Sequence, residues 1–310
     1  MAPVNVYWSC HIRLRKLILL NMNQNSKLKL FILVGFALIA FAANSVLSRL
    51  ALETNAIDAS SFTIIRLLSG AIVLLVILKF FQKHSATETK GSWISSCMLF
   101  IYAISFSYAY LSLDTGTGAL ILFGAVQITM ILVSIYTGSR LFRTEWLGLF
   151  IAFIGFVYLV LPDVSAPSVS GFLFMTIAGV AWGVYTLKGR DSKNPLSDTT
   201  YNFLRTIPLA LLLVLIFFDN TNYSASGVIF AMLSGCIASG IGYTVWYMAL
   251  SKLTSSQAAV LQLLVPILAA LGGVVFVSEP ITFRLIISGA LVLGGVLVVI
   301  LGKTYISKLE

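Results

Sequence analysis

The sequence predicts an all-α integral membrane protein with ten transmembrane helices, arranged as two inverted repeats of five helices each. Three observations lead to this fold class: the composition, the lengths of the apolar segments and an internal repeat. Hydrophobic residues make up 59% of the 310 residues, and charged residues only 10%. A soluble domain is closer to half apolar and a quarter charged, so this chain lacks the charge that a water-exposed surface requires.

The apolar segments have the length of membrane-spanning helices. A helix crosses the hydrocarbon core with about 20 mostly apolar residues, whereas a barrel strand needs only about 10. Within lipid, every backbone polar group must be bonded inside the protein, which a helix achieves on its own. The predicted spans lie near residues 30–50, 60–81, 93–113, 116–137, 145–162, 170–188, 197–218, 227–250, 255–277 and 281–302.

A short polar turn separates the last two spans. The apolar run from Ala258 to Leu301 is long enough for two spans, and Ser278-Glu279-Pro280 divides it. We expect Pro280 in the first turn of the last helix, where its missing N–H is harmless. We expect Glu279 to complement the positive N-terminal end of that same helix.

The distribution of basic residues predicts the orientation. The 20 lysines and arginines exceed the 11 acidic residues, which gives a net charge of +9. If the N-terminus is cytoplasmic, every basic residue falls on the cytoplasmic side except Arg49, Arg66, Arg205 and Arg284. Cytoplasmic loops carry such an excess. The pattern predicts a multi-pass protein of the bacterial cytoplasmic (inner) membrane with both termini in the cytoplasm, and it explains the positive charge without a nucleic acid partner.

Two tails are predicted to flank the repeats. Residues 1–21 lack the basic start and the small-residue end of a signal peptide. They are interpreted as a disordered tail or as an extension upstream of a native start at Met22, with an interfacial helix as the alternative. The predicted organisation is a cytoplasmic tail at 1–29, a first repeat at 30–162, a second repeat at 168–302 and a cytoplasmic tail at 303–310.

The second half of the chain repeats the first half at a constant shift. Because five is an odd number of spans, two successive repeats must face opposite ways in the membrane. Inverted repeats around a site at the midplane are the architecture of secondary transporters. At a shift of 139 residues, Arg66 aligns with Arg205, Tyr108 with Tyr247, Thr115 with Thr254 and Ser139 with Ser278, while Arg49 falls on Lys188.

Two stretches of the second repeat resemble a known family of carriers. "GVAWGVYTLKGR" at 179–190 is similar to the sixth-helix motif of EamA-like carriers in the drug/metabolite transporter superfamily. Residues 260–300 resemble that family's ninth and tenth helices, with Pro266 before a Gly/Ala-rich face, a Glu-Pro turn and a glycine-rich last helix. The resemblance implies a ten-helix carrier over both repeats. The first repeat departs from the pattern, with Gln127 in place of the proline and Arg140 in place of the turn glutamate.

Two arginines inside predicted spans are candidates for the transport pathway. Arg66 and Arg205 lie about six residues inside the ends of the second and seventh spans. A charge within the membrane is costly and usually faces the interior of the bundle. The two arginines would attract anionic groups or latch the two gates, and snorkelling or a structural bond is the alternative. Arg49, at the outer end of the first span, is interpreted as an interfacial anchor.

Polar and aromatic side chains near the middle of spans are the other candidates. Tyr243, Trp246 and Tyr247 share one helical face, and so do Trp182 and Tyr185. A cavity lined by rings with a few convergent polar groups suits a small amphipathic ligand. The alternative is that the rings only pack or belong to the interfacial belt. The full set comprises Asn44, Tyr102, Ser105, Tyr108, Gln127, Trp182, Tyr185, Tyr243, Trp246, Tyr247 and Gln262.

What the predicted spans lack narrows the function further. Neither of the two histidines and none of the 11 acids lies at the centre of a span. Carriers of cations or protons usually keep such a group there, so a neutral, zwitterionic or anionic substrate is favoured. The chain has no phosphate-binding Gly-rich loop, and its three cysteines lack the spacing of a metal site. We therefore expect no cofactor and no metal, and no enzyme, since a nucleophile would need a nearby base.

The predicted function is a secondary transporter, and specifically an exporter, of small metabolites such as amino acids or related neutral or anionic compounds. The alternatives are a nucleotide-sugar-type exchanger and a membrane helper protein that transports nothing. The expected partners are a small-molecule substrate and the lipid bilayer, without nucleic acid. The chain is expected to be a monomer or a homodimer.

Overall fold

The computed structural model describes residues 5–81, 89–138, 143–161, 167–190, 192–217, 222–253 and 255–306. These residues form helices joined by short turns, and their only strand-like pairing is an isolated bridge between Ile57 and Tyr223. The helices are α1 Asn5–Leu52, α2 Ala59–Phe81, α3 Trp93–Ala109, α4 Thr115–Tyr136, α5 Arg143–Val160, α6 Val169–Gly189, α7 Pro195–Phe217, α8 Ala225–Leu250, α9 (Ser255–Gln262, Leu264–Gly272 and Gly273–Val277) and α10 Phe283–Ile306.

The predicted class, an all-α integral membrane protein, is confirmed. Within the described ranges, seven helices are long and apolar enough to cross a bilayer: the Leu28–Leu52 part of α1, together with α2, α4, α6, α8, α9 and α10. Large apolar side chains on the outside of the bundle, among them Phe80, Phe153 and Leu215, are exposed. Such an apolar exterior suits lipid and would be a liability in water. The protein therefore passes the membrane several times.

Helix α1 is much longer than the predicted first span. It begins at Asn5, so residues 5–21, for which the sequence left a disordered tail, an upstream extension or an interfacial helix open, are helical and continuous with the first span. The part of α1 that meets the requirements of a span is Leu28–Leu52, close to the predicted 30–50. The membrane-crossing part of the prediction and the observed helix therefore agree.

Two helices of the second half depart from regular α-helix. Helix α8 contains a π-helical stretch at Ser234–Ile241. Helix α9 is interrupted at Leu263, because Pro266 has no N–H to donate to the carbonyl of Gln262. π-Helical turns inside α-helices are rare and occur mostly at functional sites. Both irregularities lie in helices that pack against α1.

Helix packing divides the bundle into clear sets. Helix α2 packs along α7, and α5 along α10. Helix α1 packs on α8 and α9, while α6 packs on α3 and α4. Small residues allow the closest approaches: a Cβ added at Gly235 would lie 2.2 Å from the carbonyl oxygen of Arg66, and one at Gly179 would lie 2.7 Å from that of Leu122. Small residues at such crossings are how membrane helices pack.

The turn between α9 and α10 differs from the prediction. Helix α10 begins at Phe283, so Pro280 precedes it rather than lying in its first turn. The carboxylate of Glu279 accepts from the backbone N–H of Thr115, at 2.9 and 3.1 Å, and so caps α4 instead of α10. The reason is that Asp114, at the N-cap position of α4, makes no capping bond with its own side chain. The unpaired N–H at the start of α4 is therefore satisfied from the turn that follows α9.

Candidate functional site

Arg66 lies on α2 in the interior of the bundle and is only 1% exposed. Its Nε donates to Ser239 Oγ at 3.1 Å. Its Nη2 donates to Tyr102 Oη at 3.1 Å and to Tyr243 Oη at 2.9 Å. Helices α2, α3 and α8 thus meet at this guanidinium, which is the most polar point of an otherwise apolar core.

The partners of Arg66 are all neutral. Among the described residues, no carboxylate lies within ion-pairing distance of its guanidinium, and Nη1 has no hydrogen-bond partner. The guanidinium carbon lies 4.9 Å from the ring centroid of Phe106 and 5.1 Å from that of Tyr102, so ring faces supply some stabilisation. Burying a charge costs several kcal/mol even after the protein relaxes, and neutral hydroxyls offset only part of that cost.

A chain of hydrogen bonds extends from Arg66 to α1. Tyr243 Oη donates to Tyr102 Oη at 3.2 Å, and Asn44 Nδ2 donates to the same oxygen at 3.1 Å. Ser234 Oγ donates to Asn44 Oδ1 at 2.6 Å. The hydroxyl of Tyr102 therefore bonds with Asn44, Arg66 and Tyr243, and these three bonds fill the positions around its oxygen.

Aromatic rings enclose this polar network. The ring of Trp182 lies 4.5 Å from that of Tyr243 and 5.0 Å from that of Tyr102, centroid to centroid. Phe41 contacts Trp182, Tyr243 and Trp246 at 5.7 to 6.0 Å. The indole Nε1 of Trp246 is buried without a hydrogen-bond partner among the described residues. Five helices, α1, α2, α3, α6 and α8, thus contribute to one cluster of rings around a cation, which we call the central cluster.

The π-helical stretch of α8 explains how two serines join the central cluster. Ser234 and Ser239 are five residues apart, which in a regular α-helix would separate them by roughly 140° around the axis. A π-helix closes its hydrogen bonds between residues five apart and therefore stacks them on one side. Ser234 thereby reaches Asn44 while Ser239 reaches Arg66.

The structure brings together about half of the residues that the sequence singled out. Ser105 is buried on α3, three residues from Tyr102, and Tyr247 lies 6.0 Å from Tyr185 at the edge of the central cluster. The predicted residues in the central cluster are Asn44, Arg66, Tyr102, Trp182, Tyr185, Tyr243 and Trp246.

Three other predicted residues lie elsewhere. Gln127 Nε2 donates to Gln262 Oε1 at 3.3 Å, which makes a separate polar contact between α4 and α9. Tyr108 Oη is bonded to Ser60 Oγ at 3.0 Å, beside the turn between α1 and α2. Neither contact includes a residue of the central cluster.

Arg205, the repeat counterpart of Arg66, has quite different surroundings. It is half-buried, donates to the carbonyl oxygen of Lys90 in the connection between α2 and α3, and lies over the ring of Trp93 at 5.7 Å. A backbone carbonyl and a ring are ordinary structural partners for an arginine. The two arginines align in sequence, but only Arg66 lies in the central cluster.

Phe41, Phe106, Ser234 and Ser239 belong to the central cluster but are not among the residues predicted from the sequence. The two phenylalanines carried no polar signal that would separate them from lipid-facing rings. The serines are five residues apart, a spacing that a regular helix does not place on one face. The run of small residues from Ser234 to Gly240 is the one signal that could have indicated an irregular helix there.

A second buried arginine, Arg49, lies in the last turn of α1, and it is not the interfacial anchor that the sequence suggested. Its Nε donates to Glu279 Oε1 at 3.0 Å, and its Nη2 lies 3.0 Å from Glu53 and 3.5 Å from Asp114. Only 10% of its side chain is exposed. Burial raises the pKa of the Glu279 carboxyl above its usual value, and the bonds from Thr115 and Arg49 offset part of that rise. The four charged residues tie the last turn of α1 and the turn after α9 to the start of α4, and we call them the rim network.

Comparison with known proteins adds a family and several relatives. Residues 169–301 match the model of the "EamA-like transporter family". A Pseudomonas aeruginosa protein, "Uncharacterized protein PA1977", is 47% identical over 269 residues, which cover 87% of this chain and 93% of that protein. An Archaeoglobus fulgidus "Uncharacterized transporter" is 26% identical over 88% of this chain and 97% of its own. The Bacillus subtilis "Uncharacterized transporter YyaM" is 27% identical over 74% of this chain and 82% of its own.

A solved structure has the same fold. It is described only as "Crystal structure of protein", and it superposes with a TM-score of 0.60 over 86% of this chain and 98% of its own. The sequence identity is 20%. At that identity the likeness concerns the fold alone.

Proposed function

We infer the function from the premise that the chain belongs to the EamA-like transporter family of the drug/metabolite transporter superfamily. We propose that it is a secondary transporter that exports small metabolites, such as amino acids and related neutral or anionic compounds. Transport proceeds by alternating access between two inverted repeats of five spans each. The protein resides in the bacterial cytoplasmic membrane with both termini in the cytoplasm.

The central cluster is the observation that carries this proposal. It places one cation, several hydroxyls and an amide inside a shell of aromatic rings, at the meeting point of helices from both halves of the chain. Ligand sites combine an apolar lining with a few convergent polar groups in this way. The central cluster has no histidine, carboxylate or lysine to serve as a base beside its hydroxyls, so binding suits it better than catalysis.

The packing of the helices supports two related halves. Suppose that each helix is exchanged for its counterpart five helices away, α1 for α6, α2 for α7 and so on. The contacts of α1 with α8 and α9 then become those of α6 with α3 and α4, which also exist. The pairs α2–α7 and α5–α10 exchange into themselves. A pseudo-two-fold relation between the halves would produce this pattern, which supports the proposed arrangement of ten spans in two inverted repeats.

Matched aspartates tie the starts of neighbouring helices. Asp58, just before α2, accepts through Oδ2 from the backbone N–H of Asn222, just before α8, at 3.1 Å. Asp198, in the first turn of α7, accepts through Oδ1 from the backbone N–H of Gly91, just before α3, at 2.8 Å. Exchange of the two halves converts the α2–α8 tie into the α7–α3 tie, so these contacts support the same relation between the halves.

The rim network supports the outward direction of transport. It closes the outer ends of α1, α4 and α9 with a set of ion pairs. At the shift of 139 residues, the counterparts of Arg49 and Glu279 on the inner side are Lys188 and Arg140, both basic. Two cations repel each other and cannot form an ion pair. The ion pairs of the rim network therefore stabilise the state that is closed to the outside. Substrate then loads from the cytoplasm.

Labelling of single cysteines tests the proposed topology. In a background without native cysteines, Thr54→Cys should react from the outside and Lys193→Cys from the cytoplasm, because both side chains are exposed in turns on opposite faces. Reaction of both positions from the same side would contradict the ten-span arrangement.

Transport by the purified protein in proteoliposomes tests the function. We expect counterflow of at least one radiolabelled compound from a panel of amino acids, organic acids and their neutral amides. Transport should not depend on ATP. Vesicles with a Trp182→Ala variant, which removes the largest ring between Tyr102 and Tyr243, control for leakage and should show much slower flux. Equal flux in protein-free, variant and wild-type vesicles would refute the proposed function.

A further inference from the structure

The charge balance of the central cluster points to the chemical class of its ligand. Arg66 carries a positive charge that no carboxylate compensates among the described residues, and it is almost fully buried. Its Nη1 lacks a hydrogen-bond partner in the described ranges. Buried charges in proteins are paired, because an unpaired one is strongly destabilising. The position beside Arg66 therefore suits an anion that the described part of the chain does not supply.

Another unused group in the central cluster is a donor as well. The hydroxyl of Tyr102 has no capacity left, because Asn44, Arg66 and Tyr243 already bond with it. The indole N–H of Trp246 is buried without an acceptor in the described part of the chain. A ligand that satisfies these groups must bring oxygen acceptors, and a planar carboxylate fits the fork of a guanidinium.

The surroundings limit the charge of the ligand to one. The central cluster contains one cation and no lysine, so a phosphate dianion would bring an excess negative charge into a ring-lined interior. The rings of Phe41, Trp182 and Tyr243 would pack against an apolar body. No acid is present in the central cluster to hold an ammonium group, so an α-amino group adds no ion pair.

We propose that Arg66 binds the carboxylate of a small, singly charged organic acid with an apolar body. This rests on the proposed function and narrows it from metabolites in general to monocarboxylates. Acids without an amino group bind at least as tightly as the amino acids of the same carbon skeleton. The carboxylate takes the unused hydrogens of Arg66, the indole N–H of Trp246 donates to an oxygen of the ligand, and the apolar body lies among the rings.

Matched acids and amides test this assignment. We would measure intrinsic tryptophan fluorescence and thermal unfolding of the full chain in phosphatidylcholine nanodiscs, with phenylacetate, 4-methylpentanoate, leucine and the two amides phenylacetamide and 4-methylpentanamide. The two acids should raise the unfolding temperature and change the fluorescence. The amides should need an at least tenfold higher concentration for the same response. Inorganic phosphate and nanodiscs with phosphatidylserine test a multiply charged anion and a lipid carboxylate.

Variants separate binding at Arg66 from a general effect. Arg66→Gln should weaken the response to the acids at least tenfold without changing the response to the amides. Arg66→Lys, which keeps the charge but loses the fork, should recover part of it. Arg205→Gln, the matched loss of an arginine outside the central cluster, should bind the acids like the wild type.

Several results would overturn the assignment. They are equal affinity for acids and amides, an unchanged acid response in Arg66→Gln, a response to phosphate or phosphatidylserine alone, and no response to either acid. Transport of amides but not of acids would support the proposed transport function and refute only the assignment of a carboxylate ligand. Acid binding at Arg66 with no flux of any compound would instead refute the proposed transport.

Discussion

Arg66 and Arg49 lie on neighbouring helices, and both are buried, but their surroundings are opposite. Arg49 in the rim network contacts Glu53, Asp114 and Glu279. Arg66 in the central cluster contacts only neutral hydroxyls and rings. A cation with built-in counter-charges links parts of the fold, whereas one without them leaves a position for a charge from outside. The partners of a buried arginine therefore say more about its role than its depth does.

The largest expected effect concerns transport by the Arg66→Gln variant. A hydrogen bond to a charged group contributes about 1.5–3 kcal/mol, so transport per folded protein should fall roughly 10- to 100-fold. The unfolding temperature should stay the same or rise, because an unpaired buried charge is removed. Flux normalised to folded protein, together with thermal unfolding in the absence of ligand, measures both quantities.

Arg205→Gln is the matched control for this comparison. Its contacts with the carbonyl of Lys90 and the ring of Trp93 are structural, so the variant should unfold at a lower temperature and transport at a near-normal rate. If Arg66→Gln behaves like this control, with lower stability and normal flux, Arg66 is a structural arginine. The proposed difference in role between Arg66 and Arg49 would then be refuted.

The second effect is the loss of stability in Arg49→Gln. The change leaves Glu279 buried beside Asp114 and Glu53 without a cation. Breaking a fully buried pair costs about 3–5 kcal/mol, and the partly exposed rim should cost less, about 2–3 kcal/mol. Transport per folded protein should change far less than in Arg66→Gln. A variant as stable as the wild type would show that the rim network does not hold the outer ends together.

The third effect is a pH dependence of the stability that is lost in Arg49→Gln. Burial raises the pKa of Glu279, and loss of Arg49 removes an opposing cation, so the pKa rises further. For an acid whose pKa is raised on folding, the contribution to stability is complete below the ordinary value, 4.5, and is lost as the pH rises through the raised pKa. The difference in unfolding temperature between the wild type and Arg49→Gln should therefore widen from acidic to neutral pH. Parallel curves would exclude Glu279 as the group that is left uncompensated.

The smallest effect is expected for Glu279→Gln. The amide oxygen can still accept from the N–H of Thr115, and Arg49 keeps Glu53 and Asp114. The cost should stay below about 1 kcal/mol, in the range of a partly exposed ion pair. Glu279→Ala also removes the cap of α4 and should cost about 1 kcal/mol more. Equal losses in the two variants would show that the capping bond contributes nothing.

The sequence revealed most of the central cluster because residue type and helical spacing suffice for it. Tyr243 and Trp246 on one face of α8, and Trp182 and Tyr185 on one face of α6, follow from a period of 3.6 residues. Arg66 was indicated by its charge within an apolar segment. None of these signals required knowledge of the neighbouring helices.

Features that depend on contacts between helices could not be predicted in the same way. Glu279 caps α4 and not α10, since the choice depends on which helix end comes near in space. Arg205 and Arg66 share a repeat position, but the repeat does not determine which groups face each of them. Ser239 reaches Arg66 only because α8 leaves the α-helical period. The fold class is thus a property of local patterns, and the chemistry of the site is a property of their assembly.

The wide turns of α8 set the rotational phase of everything that follows them. A π-turn accommodates one residue more than an α-turn, so without the π-helical stretch the same residues would continue as an unbroken α-helix. The rest of the helix would then be rotated by roughly 100° relative to its first part. Tyr243 and Trp246 would face away from Trp182 and Phe41, although every ring would still be present in the sequence. The site therefore depends on the backbone conformation of α8 as well as on the identity of its residues.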